Sequence, residues 1–308
     1  MSQIKLGDTD IPFVFRGDEL MYPNYVKDGL VLHYDFSGMT NADASRGIAT
    51  DLSGNGNHGT LQNFNYTAES GYDKNKLLFD GVDDFLQVPE TGLNPEGMSV
   101  VDNGKIYSYV GDVVSIVDDS GNIKTGNVNI SNKITPTYPR PYHFTSTNTL
   151  MYDDKAKGGS FVRYGNINIT GVTSSIYIAR LTEDQYRDIK EGEQVNVSLY
   201  ARANKSVTIN NQAVGTEWTR ISFNNIWSNL SNLHIYIRTE EIGADLDIAG
   251  FKIELGSTST LYAPSPQDYQ QLEQRPKLTQ DLLLYNRPLT PEEIAHNYAI
   301  EKERFGIE

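Results

Sequence analysis

Leu282-Leu283-Leu284-Tyr285-Asn286-Arg287-Pro288-Leu289-Thr290-Pro291-Glu292-Glu293-Ile294 changes period within a dozen residues. The apolar run Asp281–Tyr285 reads as a strand. Thr290 is a natural N-cap, Pro291 suits the first helical position, and Glu293 completes a capping box. The helix that follows has one partly apolar face, made by Ile294, Tyr298 and Ile300 with Glu301; Phe305 and Ile307 would dock its tail. At the other end, Gly29-Leu30-Val31-Leu32-His33-Tyr34-Asp35-Phe36 reads as a second strand. Period two puts Leu30, Leu32, Tyr34 and Phe36 on one face and Val31, His33 and Asp35 on the other, with His33 expected on the sheet exterior. Leu77–Phe79 and Phe85–Val88 flank the turn Asp80-Gly81-Val82-Asp83-Asp84. The run Ser53-Gly54-Asn55-Gly56-Asn57 is turn chemistry, since Gly and Asn favour positive φ.

The rest of the chain reads the same way. Residues 1–25 hold an internal echo. Ile4-Lys5-Leu6-Gly7-Asp8-Thr9-Asp10-Ile11 is followed by Phe13-Val14-Phe15-Arg16-Gly17-Asp18-Glu19-Leu20-Met21-Tyr22, each a strand, tight turn and strand. Such a hairpin is too small to stand alone and is expected to pack on another surface. Arg16-Gly17-Asp18 spells an integrin tripeptide but reads as an ordinary turn. Residues 92–133 carry short strands at Lys105–Val110, Val113–Asp118 and Ile123–Ile130, assignable to either of two domains or to a bridge between them. Alternating strands follow at Glu193–Ala203, Thr216–Phe223, Leu233–Arg238 and Leu246–Gly256. Gln267–Pro276 is polar and reads as a linker.

The bulk numbers bound the class. At 308 residues two domains are expected. A hydrophobic share of 38%, 19 Tyr against 2 Trp, and many Gly, Asn, Ser and Thr between short apolar runs describe an all-β protein of sandwiches. A net charge of −14 and a pI near 4.8 argue against a duplex nucleic-acid binder and against an anionic membrane surface. No run approaches the ~18 apolar residues of a spanning helix. The first residues show no apolar leader, and zero Cys leaves no disulfide and no thiolate metal site. Both traits fit assembly in a bacterial host cytoplasm, as they fit an ordinary cytosolic protein.

Three resemblances organise these pieces. The Gly29–Phe36, Asp51–Leu61, Leu77–Val88 and Leu282–Ile294 stretches resemble the first and last strands of one laminin-G-like, concanavalin-type jelly roll. The order Val197-x-Leu199-Tyr200-Ala201-Arg202-Ala203, Thr216-Glu217-Trp218-Thr219-Arg220-Ile221-Ser222-Phe223, then Lys252-Ile253-Glu254-Leu255-Gly256-Ser257-Thr258 and Tyr262-Ala263-Pro264, resembles carbohydrate-binding-module-like jelly rolls embedded in phage tail proteins. The amino-terminal echo resembles short segments of tail and baseplate proteins. Together they imply two jelly-roll β-sandwiches, the second inserted in the first, with a small N-terminal hairpin and a short C-terminal helix. The expected domains are 1–25, 26–133 plus 268–308, and 134–267.

Candidate chemistry follows. Asp51, Asn55 and Asn57, and separately Asp80, Asp83 and Asp84, offer hard oxygens on Gly-containing loops. That set suits Ca²⁺, and it suits Asx residues bonding their own backbone. Laminin-G-like relatives imply one calcium at a sandwich rim. For a glycan, the inserted module offers Trp227, Tyr142, Tyr177, Tyr236 and Arg238; Trp227 sits between Asn and Ser in a loop setting. Trp218, beside Ile221 and Phe223, is expected in the core. No Glu-x-Asp-x-x-Glu strand, Gly-x-Ser-x-Gly elbow, His-Glu-x-x-His or phosphate loop occurs, so no enzyme is expected. The resemblances imply a bacteriophage virion component of tail, baseplate or tail fibre. Its partners would be other tail proteins, host cell-wall glycan and copies of itself. A secreted or surface lectin uses the same folds, and a polysaccharide depolymerase is the third reading.

Overall fold

The computed structural model describes residues 5–306, except 7–8, 11–13, 17–18, 81–82, 119, 130–140, 143, 153–155, 157–159, 170–173, 180–189, 228–232, 240 and 270–279. The protein is built of β-sheets with one C-terminal α-helix, an all-β sandwich architecture. It divides into two compact units, residues 1–126 with 269–308 (unit 1) and residues 127–268 (unit 2).

Unit 1 begins with two short antiparallel pairs, β1 (Lys5–Leu6) with β2 (Thr9–Asp10) and β3 (Val14–Arg16) with β4 (Glu19–Tyr22). Each copy of the sequence echo is thus a separate hairpin. The connecting Gly7-Asp8 and Gly17-Asp18 lie outside the described residues. The main sheet contains β5 (Leu30–Asp35), β11 (Ser99–Asp102), β12 (Lys105–Val110), β13 (Val113–Val117), β14 (Ile123–Asn127) and β25 (Asp281–Tyr285), in the order β14-β13-β12-β11-β25-β5. The strands between Ser99 and Gly126, ambiguous in sequence, therefore pair within the sheet of unit 1. β25 lies between β11 and β5, with Leu283 opposite both Val101 and His33. All five of its residues are buried, as an unalternating apolar run requires of a central strand covered on both faces. Shorter strands complete the unit: β6 (Ile48–Ala49), β7 (Gly59–Gln62) and β10 (Phe85–Gln87) form one sheet, and β8 (Gly71–Asp73) and β9 (Lys76–Leu78) a hairpin. A Cβ at Gly59 would lie 2.9 Å from Leu86 Cδ1 and 3.0 Å from Tyr34 Oη, so only glycine lets β7 approach β5 there.

The other face of the main sheet is covered by α1 (Pro291–Phe305). Its capping box is complete: Glu293 N–H donates to Thr290 Oγ1, and Thr290 N–H donates to the Glu293 carboxylate at 2.9 Å. Gly306, at φ +59°, ends it. Ile294 and Ile300 join Tyr25, Val101, Ile106, Leu283, Tyr285 and Leu289 in one apolar cluster. This cover corrects the expected exterior position of His33, which is buried edge-on to Tyr25 at 5.2 Å; desolvation lowers its pKa to about 4. The helix also buries charge. Arg304 pairs with Asp35, Asp281 and Glu301, three carboxylates around one guanidinium, and Tyr25 Oη donates to Glu301. Burial, then the charge of Glu301, pushes Asp281 well above the usual carboxylate range, and burial also raises Glu301.

Unit 2 is a sandwich of two five-stranded antiparallel sheets. Sheet I contains β16 (Phe144–Tyr152), β17 (Ser160–Ile169), β24 (Ala244–Leu255), β19 (Gln194–Ala203) and β22 (Thr219–Ile226), in that spatial order. Sheet II contains β15 (Pro141–Tyr142), β18 (Ser174–Ala179), β23 (Leu233–Arg238), β20 (Val207–Ile209) and β21 (Gln212–Val214). Among the described side chains the core takes inward residues of both sheets, among them Val195, Val197, Leu199 and Ala201 of β19 and Ile237 of β23. Unit 2 begins at Asn127 rather than at residue 134. Asn127 Nδ2 donates to Leu255 O, Asn129 Nδ2 donates to Phe251 O, and Ile253 N–H donates to Asn129 Oδ1, which holds this stretch against β24.

Candidate functional site

The loop carrying Asp51, Asn55 and Asn57 is fully engaged with its own chain. Asp51 Oδ1 accepts from the His33 and Ser53 N–H groups at 2.9 Å each, and Oδ2 accepts from Ser53 Oγ and Asn57 N–H at 2.8 Å each. A carboxylate has about four acceptor sites, and all are used. Asn55 Nδ2 donates to Leu30 O and Val31 O, and Asn57 Nδ2 to Val31 O. His58 Nδ1 accepts from Asp51 N–H. β5 is an edge strand, and side-chain amides here satisfy the carbonyls that a neighbouring strand would take. As placed, the Asp51 oxygens are spent on the chain and the three residues seal a sheet edge.

Asp80, Asp83 and Asp84 differ. One oxygen from each lies within 4.8 Å of the others. Asp84 Oδ2 accepts from Asp80 N–H at 2.8 Å, while the buried Asp84 Oδ1 has no hydrogen-bond partner. Burial raises the pKa of Asp84. An orphaned, buried carboxylate oxygen beside two exposed carboxylates fits a hard cation, and these three residues would hold it. Such an ion would offset most of the charge of these three carboxylates.

The glycan candidates of unit 2 separate. Trp227 is 4% exposed and lies in the core, where its N–H donates to Glu193 O and its carbonyl accepts from Gly192 N–H. The flanking Asn and Ser residues suggested an exposed loop, but Trp227, directly after β22, is buried in the core of unit 2. Trp227 is therefore not a ligand platform. Tyr236 and Arg238 are both exposed, on either side of core residue Ile237. The ladder pairs Tyr142 with Ser175 and Ser175 with Tyr236, while Tyr177 lies opposite His234 and Thr208 opposite Arg238. Sheet II thus brings Tyr142, Tyr177, Tyr236 and Arg238 to neighbouring register positions. Asn210 fixes the backbone there by accepting from Tyr236 N–H at 2.8 Å and donating to Tyr236 O.

Sheet I carries a constellation that sequence reading missed. Trp218, expected in the core, is half-buried on the outer face. Its parity matches Arg220 and Ser222, not the inward Ile221, and that signal was available in the sequence. Arg163 of β17, Asp247 of β24 and Arg202 of β19 form one transverse row. Arg163 holds Asp247 through Nε at 2.7 Å and Nη2 at 2.8 Å; Arg202 Nε adds a third bond at 2.9 Å. Arg202 stacks over Trp218 at 4.5 Å and lies 5.3 Å from the Phe161 ring centroid, and Phe161 meets Trp218 edge-on. Further along this face, residues 256–265 form a strap. Beneath it Lys252 and Glu254 are fully buried and paired at 3.1 Å. Lys252 donates to Thr260 Oγ1 and Leu261 O, Glu254 accepts from Thr260 N–H, and Arg220 donates to Ser259 Oγ. The Lys252–Thr258 motif is therefore a closure of the sandwich, and burial lowers the pKa of Lys252 to about 8.

No protein-family model matches the chain, and no curated protein matches it. Among solved structures it is similar to the CBM22-1 xylan-binding domain of Xyn10C from Paenibacillus barcinonensis, at 14% identity over 43% of this chain and 95% of that one, with a TM-score of 0.27. It is also similar to the tripod from the baseplate of bacteriophage Tuc2009, at 13% identity over 60% and 76%, TM-score 0.28. A Trypanosoma rangeli sialidase aligns at 12% identity over 90% and 33%, TM-score 0.24. At these scores the likenesses carry no functional weight by themselves.

Proposed function

We propose that this chain is a non-catalytic structural component of a bacteriophage tail, baseplate or tail fibre, and that unit 2 attaches it to glycan on the host surface. One observation carries the binding reading: Tyr236 is 51% exposed on the outer side of sheet II, with exposed Arg238 two residues along the same strand. The core of unit 2 is complete without it, so the ring is not there to fill the sandwich. An exposed aromatic beside a hydrogen-bonding cation provides an apolar platform and a polar anchor, the combination a sugar ring requires. The tail assignment is supported by the order of three features in one chain: the amino-terminal hairpins, the divided outer sandwich and the inserted module. Rigid sandwiches can present such rows without a ligand to fold them. Residues 1–25 would dock a neighbouring tail protein, and self-association in a symmetric appendage follows the same logic.

A glycan array tests the binding reading. Wild-type protein is expected to bind a defined set of host cell-wall oligosaccharides. Tyr236→Ala is expected to lose at least tenfold, about 1.4 kcal/mol, with an unchanged unfolding midpoint. Absence of binding to any array glycan would remove the glycan role. Co-purification with assembled particles tests the tail assignment; recovery only as a free extracellular protein would favour the lectin reading.

A further inference from the structure

We propose that Asn55-Gly56 in unit 1 is a site of spontaneous covalent modification: in the folded protein Asn55 loses its side-chain amide, through a cyclic imide, and becomes aspartate or isoaspartate. The product loosens the edge of β5 that Asn55 seals. The glycan reading plays no part in this inference.

The reaction needs only the chain and water. The Gly56 backbone nitrogen attacks Asn55 Cγ; an N–Cγ bond forms, the Cγ–Nδ2 bond breaks, and the proton of the attacking nitrogen leaves with Nδ2 as ammonia. Water then opens the imide. Breaking the N–Cγ bond gives aspartate; breaking the bond from that nitrogen to the Asn55 main-chain carbonyl carbon gives isoaspartate, with the backbone rerouted through Cγ. Net, one water enters and one ammonia departs, with no oxidant or reductant. A side chain on the following residue would obstruct the attack, and glycine has none. The sequence holds two Asn-Gly steps, Asn55-Gly56 and Asn103-Gly104, with the same pair of reacting residues. The fold separates them. Asn103 and Gly104 lie at φ +52° and +75°, in the tight turn joining β11 to β12, where Asp102 pairs with Lys105. Gly104 is buried; Asn103 Oδ1 accepts from Gln280 N–H at 2.7 Å, and Nδ2 donates to Asp102 Oδ1 at 2.9 Å. Asn55 lies in an exposed run outside any strand, between Gly54 at φ +87° and Gly56 at φ +77°. A Cβ added at Gly56 would meet nothing within 4 Å, so the attacking nitrogen stands beside open space. Reaction at Asn103 must first open a turn with a buried glycine, whereas reaction at Asn55 needs only movement at the surface.

The atom that leaves is the atom that seals. Asn55 Nδ2 donates to Leu30 O at 2.8 Å, Val31 O at 3.0 Å and Ser53 Oγ at 3.0 Å. An ionised carboxyl has no hydrogen to give and turns negative oxygen toward the two carbonyls. Leu30 O loses this donor, and Val31 O loses one of three. Isoaspartate also lengthens the backbone by one methylene just before Asn57, whose N–H donates to Asp51 Oδ2 at 2.8 Å and whose Nδ2 donates to Val31 O at 2.9 Å. β5 ends the six-stranded sheet, and a strand in that place with open carbonyls is a template for pairing.

The test ages the full chain in mildly alkaline buffer, native and in urea, and maps its peptides by mass spectrometry. In the native protein Asn55 is expected to convert about tenfold faster than Asn103 or more, since only Asn103 waits on local opening. An isoaspartyl methyltransferase assay should place isoaspartate at residue 55. In urea the two steps are expected to convert at similar rates; a preference that persists there would belong to local sequence and would overturn the structural account. An Asn55 that stays intact in the native protein, or native rates that are equal or reversed, overturns the site. The seal is read by hydrogen exchange. Aged wild type and fresh Asn55→Asp are both expected to exchange faster across residues 30–36, where Asp51 holds the His33 N–H, with unit 2 unchanged. Exchange there as in fresh wild type would overturn the loosened edge.

Discussion

Units 1 and 2 each close the outer face of a main sheet, but with different devices and different charge balances. Unit 1 lays helix α1 over its sheet, burying Ile294 and Ile300 together with three carboxylates around Arg304. Unit 2 lays strap 256–265 over part of sheet I and buries a matched pair, Lys252 with Glu254. The unit 1 cluster carries surplus negative charge and must hold protons to relieve it. The unit 2 pair is balanced, and its remaining valences are met by Thr260 and Leu261. A helix brings an apolar face and can tolerate an imperfect polar layer. The first half of the strap, Gly256–Thr260, brings little apolar area and relies on hydrogen bonds, while Ala263 and Pro264 of its second half are buried.

The contrast can be broken from either side. The two tryptophans, Trp218 and Trp227, both lie in unit 2, so their fluorescence follows that unit, while far-UV ellipticity at helical wavelengths follows α1 in unit 1. The largest effect is expected for Lys252→Met, which leaves Glu254 buried without a counter-charge. It should destabilise unit 2 by about 3–5 kcal/mol in urea unfolding read by tryptophan fluorescence. Adding Glu254→Leu should restore most of the loss; no restoration would mean that the strap depends on something other than this pair.

Calcium should act on unit 1 alone. At one hundred times its dissociation constant it should stabilise that unit by about 2.7 kcal/mol, and Asp84→Asn should abolish the shift. An equal shift in the tryptophan signal would refute the assignment to Asp80, Asp83 and Asp84.

Thr290→Ala removes the helix cap and should cost about 1 kcal/mol, visible in the helical signal and absent from tryptophan fluorescence. The smallest effect at neutral pH is expected for Asp281→Asn. The folded-state pKa of Asp281 is raised, so its contribution to stability is fully present below the unfolded value, about 3.9, and is lost as pH rises through the folded value. The wild type should therefore lose stability in unit 1 as pH rises above about 4, and Asp281→Asn should flatten that slope. A steeper slope in the variant would reverse the account of the cluster.

The elements that were legible in the sequence are those set by neighbours in the chain. The strand Asp281–Tyr285 and the Thr290–Pro291–Glu293 start of α1 came from a short apolar run and a capping box, both local. The two amino-terminal hairpins came from a repeated turn. The tryptophans show where local reading fails. Flanking Asn and Ser made Trp227 look exposed, yet it is buried in the main core of unit 2; neighbouring Ile221 and Phe223 put Trp218 in that core, yet it lies half-buried on the opposite face of sheet I, against Phe161 and Ala249. Strand parity, which is also in the sequence, moves Trp218 to the other face; nothing local corrects Trp227, because its burial comes from packing against strands far away in the chain. The acidic loops divide for a similar reason. Asp51, Asn55 and Asn57 find their partners on β5, a distant strand whose open edge no spacing rule reveals.

Composition and periodicity alone determined that this protein is all-β, that its strands are short, and that a capped helix follows the last of them; each follows from backbone preferences and side-chain alternation within a few residues. Tertiary structure decided which polar groups are spent. It committed Asp51 to a sheet edge, sealed Lys252 and Glu254 beneath a strap, and aligned Arg163, Asp247 and Arg202 across three strands. Those outcomes depend on register between segments far apart in the chain, and register is fixed only when the sheets pack.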